Sequence, residues 1–207
     1  MSFEGWIIFA LFWGIFVITP GPNAVNCINN GMTIGFKRGL IAVGAILTQA
    51  TAFLLLSAMG ITALIAASPT AFYVAKLIGA GFLIFLGLRG WFTAHKAAPQ
   101  LNKTAGSIYG NALAIAVINP KSVGGYLAAF SQFVQPDVPI WDQMWVIMPT
   151  TLTLTALAYM GFTLIGAGLG RAAIGAVFNI WIRRSMAIGF IVYGLILGTA
   201  SLPERST

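Results

Sequence analysis

Apolar residues in this chain neither alternate nor recur on a single helical face; they run on without interruption. Six such stretches lie at about 4–27, 38–66, 69–91, 108–133, 142–168 and 185–202. Each supplies the roughly 20 residues that a helix needs to cross a hydrocarbon core at about 1.5 Å per residue. The pattern predicts an all-α integral membrane protein of six transmembrane helices. The second stretch is long enough to require tilt or an early end. The 207 residues read as a single transmembrane domain, with a first repeat at about 1–91, a linker at about 92–107 and a second repeat at about 108–207.

The polar residues between the stretches set the direction of insertion. Lys37 and Arg38 follow the first, Arg89, Lys96 and Lys103 the third, and Arg171, Arg183 and Arg184 the fifth. The connections after the second and fourth carry no lysine or arginine, and the latter holds Asp137 and Asp142. Because basic loops stay cytoplasmic, both termini are expected outside the cytoplasm.

Composition agrees with that reading. Only 7% of the chain is charged and 58% is apolar, whereas an average soluble domain carries roughly 25% charge. A net charge of +7 would suit nucleic acid in a soluble protein, but here the basic residues fall in short loops and no nucleic-acid partner is expected. Cys27 is the single cysteine, which excludes an internal disulfide or a cysteine metal cluster. The first apolar run continues past signal-peptide length and is expected to be retained.

Three spans in each half imply that the second half enters the membrane in the opposite sense to the first. Weak internal symmetry fits this: Gly81-Phe82 aligns with Gly189-Phe190, and Phe85 with Tyr193. The first span of each half is also interrupted at a corresponding place. Helix 1 is broken by Thr19-Pro20-Gly21-Pro22-Asn23 and helix 4 by Asn119-Pro120-Lys121. Proline lacks a backbone donor and clashes with the preceding turn, so both helices should open near the bilayer centre. Asn119 suits an N-cap and Pro120 a first helical position. Such paired Gly/Pro breaks in two inverted repeats point to a transporter's substrate site, where helix N-termini favour an anion.

Lys121 is the sharpest candidate. A cation at mid-span costs roughly 2.5–3.5 kcal/mol on insertion scales, so it requires a cavity or a partner. No acid lies within any span beyond its first residue, which leaves a substrate carboxylate or carbonyls freed by the Asn119-Pro120 break. Lys76 is near enough to a span end to snorkel. The amides of Asn23, Asn26 and Asn119 could bind an ammonium or carboxylate, or satisfy broken backbone. Gln49 and Tyr159 are further substrate-binding candidates, with interhelical hydrogen bonds as the competing role. No His/Asp/Glu constellation suggests catalysis, and neither an enzyme activity nor a cofactor or metal is expected. A channel, or an exporter of another small solute or ion, is the competing transport class.

At these motifs the chain resembles the lysine/homoserine exporter (LysE/RhtB-type) family of amino-acid efflux transporters. The resemblance spans essentially the whole sequence. It rests on Thr19-Pro20-Gly21-Pro22-Asn23, the Gly31/Gly35/Gly39 run, Lys76-Leu-Ile-Gly-Ala-Gly-Phe with Leu86-Gly87-Leu88-Arg89, Asn119-Pro120-Lys121 and Gln132-Phe133. It implies a proton-linked, dimeric exporter that moves amino acids or similar metabolites outward across the inner membrane. Asn23 stands where many members carry aspartate, so nothing within the spans would neutralise a cationic side chain. A neutral amino acid is the expected cargo.

Overall fold

A computed structural model describes residues 1–96 and 107–200; most of the expected 92–107 linker, with Lys103, and the end of the chain, with Arg205, lie outside the described residues. Among the described residues the chain is entirely helical. Eight helices follow in order: α1 (Phe3–Ile18), α2 (Pro22–Ala67), α3 (Pro69–Phe92), α4 (Ile108–Ile118), α5 (Pro120–Phe133), α6 (Ile140–Leu169), α7 (Arg171–Val177) and α8 (Ile180–Ala200). Local chemistry explains most of the starts. Ser2, Ser68 and Ser107 cap α1, α3 and α4 by accepting first-turn N–H groups, with the Ser107 bond from Gly110 at 2.9 Å.

Three helices are long and apolar enough to cross a membrane, or four if the bent pair α7–α8 forms one span. α1 and α4, with 16 and 11 residues, are too short to cross alone. Inside α2, Gly35 takes φ 78° and ψ 168°, a non-helical conformation that divides the element into residues 22–34 and 36–67. Only glycine adopts that backbone without strain. The surface is apolar all round: Leu56, Met59, Ile78, Trp145, Leu157 and Leu195 are each more than half exposed. Such a coat suits lipid rather than water.

Packing is organised by pairs of helices. α2 lies along α6 and α3 along α8; α1 also packs on α6, α4 on α2 and α5 on α3. Lipid tails are as apolar as leucine, so close approach through small residues, rather than water exclusion, holds such pairs together. The α3–α8 contact is reciprocal. A methyl group on Gly87 would lie 2.7 Å from the Ala187 carbonyl oxygen, and one on Gly194 would lie 2.9 Å from that of Ala80. Ala80, Ile84 and Gly87 thus meet Gly194, Ile191 and Ala187 head to tail. The core is aromatic, built from Phe9, Phe12, Trp13, Phe16, Tyr126, Phe130 and Phe190, with the Trp13 indole donating to Thr155 Oγ1 at 3.0 Å.

Candidate functional site

α1 ends at Ile18 and α2 begins at Pro22, which leaves Thr19, Pro20 and Gly21 outside both helices. α4 ends at Ile118, and α5 begins at Pro120 after the single residue Asn119. At both places proline occupies the first helical position, where its missing N–H is not needed. Asn119 caps α5 by accepting the Lys121 N–H at 3.1 Å. α2 has no such side-chain acceptor in front of it, because Pro20 and Gly21 precede its first residue. The N–H of Asn23 is therefore among the helix-start donors without an intrahelical partner.

The two interruptions meet in space. Lys121 donates from Nζ to the Thr19 carbonyl oxygen at 2.7 Å, and the same ammonium lies 4.7 Å from the centre of the Phe16 ring. The carbonyl that this lysine satisfies is thus one freed by the other break rather than by its own. Gly125, one turn along α5, is what allows the Phe16 ring to sit there: a methyl group at that position would occupy the ring's space.

A cavity of about 530 Å³ opens beside this junction. Thr19, Pro20, Gly21, Pro22, Asn119 and Lys121 form one wall; Leu86, Arg89, Gly90, Thr93 and Lys96 form a second, and Phe178, Arg183, Ala187 and Phe190 a third. The volume suits a small metabolite. Four cations, Arg89, Lys96, Lys121 and Arg183, face no acid among the lining residues. Arg183 is fixed in place by donating to the carbonyls of Ala94 at 2.9 Å and Lys96 at 2.7 Å, which ties the start of α8 to the end of α3. The arrangement can hold a carboxylate at Lys121, and its basic mouth repels cations. No group of three metal-ligating side chains occurs among the described residues.

The family model described as LysE type translocator matches residues 14–201. The chain belongs to that family. It is 33% identical over 97% of its length to an "Uncharacterized membrane protein" of Vibrio cholerae, covering 99% of that relative. It is 25% identical to the "Leucine efflux protein" of Salmonella typhimurium, over 90% of each chain. It is 24% identical to the "Homoserine/homoserine lactone efflux protein" of the same organism, over 97% of this chain and 98% of the relative. No solved structure matches it.

Within this translocator the candidate residues fall into two groups. Thr19, Pro20, Gly21, Pro22, Asn119 and Lys121 share the cavity. Asn23, Gln49 and Tyr159 do not line it; they are buried, at 3%, 2% and 7% exposure. Tyr159 lies against Asn23 and Cys27, in the packing between α2 and α6. Asn23 Oδ1 and Gln49 Nε2 have no hydrogen-bond partner there. Lys76 is half-buried in α3, and its carbonyl accepts from the Gln132 side chain. Sequence reasoning assigned Arg89, Lys96 and Arg183 to topology and missed that they line the cavity, because basic residues at span ends serve topology equally well. The useful signal was their place at matching ends of α3 and α8.

Proposed function

We propose that this translocator is a secondary exporter of amino acids, with a neutral amino acid as its cargo, bound by its carboxylate to Lys121. The observation that carries this is one lysine ammonium placed where two helix interruptions meet, on a basic cavity with no acid on its wall. A carboxylate would replace the Thr19 carbonyl with a charge-assisted bond, the stronger of the two. The breaks at Thr19–Pro22 and Asn119–Pro120 supply the irregular backbone that is tolerated at membrane depth only beside protein or a hydrated cavity. Leucine and homoserine, named for two relatives, are both neutral amino acids.

On this reading, α1 with residues 22–34 forms the first span and residues 36–67 the second. α4 with α5 forms the fourth, and the two halves are inverted repeats. The head-to-tail contact of α3 with α8 and the pairing of α2 with α6 support that symmetry. The protein sits in the inner membrane with both termini periplasmic, acts as a homodimer and couples export to protons.

Counterflow in reconstituted vesicles tests the cargo. Vesicles preloaded with unlabelled leucine or homoserine should accumulate the labelled compound transiently and saturably, and excess lysine should not compete. Exchange of lysine alone, with none of either neutral compound, would overturn the assignment. A flux that neither saturates nor shows counterflow would make the protein a channel.

A further inference from the structure

A second cluster of cations and rings sits at the same end of the α3–α8 pair but off the cavity. The Arg184 guanidinium lies 4.9 Å from the Trp91 ring and 5.9 Å from the Trp181 ring. Its neighbour Arg183 lines the cavity, whereas Arg184, Trp91 and Trp181 do not. Successive helical residues diverge by about 100°, so these three belong to the outer side of the pair. Trp181 is 71% exposed and Phe92 69%. Arg184 is half-buried, and its Nε is covered without a hydrogen-bond partner.

These facts together describe an unfinished site. A covered guanidinium N–H that has lost water needs an acceptor, and its planar fork matches phosphate oxygens best. Among the described residues no acid stands nearby: Glu4, Asp137 and Asp142 lie in the first turn of α1, the loop before α6 and the first turn of α6, whereas Arg184 follows the far end of α6. Exposed tryptophans beside it are the usual occupants of the headgroup layer of a bilayer. We infer that Arg184, flanked by Trp91 and Trp181, binds the headgroup phosphate of an anionic phospholipid at the foot of α3 and α8. A net-negative headgroup is required rather than a zwitterionic one. The ammonium of the latter would find no carboxylate to receive it among the described residues around Arg184. The site is independent of the cargo assignment, because it shares no residue with the cavity.

Delipidated protein in an uncharged detergent should be titrated with dioleoylphosphatidylglycerol and, separately, with dioleoylphosphatidylcholine, and bound lipid counted by native mass spectrometry. The wild type should retain the glycerol lipid about tenfold or more above the choline lipid, and R184Q should abolish most of that preference. R171Q, which removes an exposed cation at the start of α7, should leave it unchanged. W181L, at a mostly exposed position that folding does not depend on, should lower retention and serves if R184Q does not fold. Equal retention of both lipids, an unaltered preference in R184Q or W181L, or the same loss in R171Q would each overturn the assignment. So would thermal stabilisation by inorganic phosphate equal to that by the anionic lipid, which would mark a free-anion site instead.

Discussion

Lys121 has three donors and gives one to the main chain at Thr19, so a carboxylate entering the cavity can take the two others or displace that backbone oxygen. Methionine has similar length and no charge. Lys121→Met should therefore reduce leucine counterflow about ten- to hundredfold, the equivalent of one charge-assisted bond, while expression and thermal stability persist. Undiminished exchange in that variant would remove Lys121 from the binding role. Gly35 offers a different kind of test. Nothing approaches a methyl group placed there, so the only obstacle to substitution is its backbone, at φ 78°. Gly35→Ala should lower stability by about 1–3 kcal/mol in a detergent unfolding titration, the usual toll of a backbone held in a glycine-only region.

At the scale of helices, the α3–α8 contact predicts a matched pair of effects. Gly87→Ala and Gly194→Ala each press a methyl group onto the partner's backbone and should each cost about 1–3 kcal/mol, since a backbone cannot rotate away as a side chain can. Gly81→Ala meets no atom and should be neutral, or stabilising by up to about 1 kcal/mol through helix propensity. The double variant should lose less than the sum, because one separation of the helices relieves both clashes. These elements also show what the sequence could and could not disclose. Pro20, Pro22 and Pro120 were legible as helix boundaries because proline acts on its own backbone, whatever surrounds it. The helix register was not: glycine, alanine and isoleucine recur so often in α3 and α8 that several alignments look alike, and backbone approach at Gly87 and Gly194 chooses among them. Gln49 and Tyr159 stood out as polar residues in apolar helices. That signal cannot tell a cavity wall from a packed interface, and the structure puts both in the latter. The cavity's other walls were beyond reach, since Phe178 and Arg183 join Thr19 only through the folding of the whole chain.

For the molecule as a whole, the sidedness proposed from the distribution of charge is open to direct labelling. In a Cys27→Ser background, single cysteines introduced at Ser2 and Asp137 should react with a membrane-impermeant maleimide on intact spheroplasts. Those introduced at Lys37 and Lys96 should react only after the membrane is permeabilised. The reverse pattern would turn the cavity wall that carries Arg89 and Lys96 towards the periplasm and overturn the proposed orientation. The bond from Lys121 to Thr19 fastens the second half of the chain to the first across 102 positions of sequence. On the proposed reading a carboxylate that draws the ammonium away undoes this clasp. Solutes lacking such a group would leave it closed.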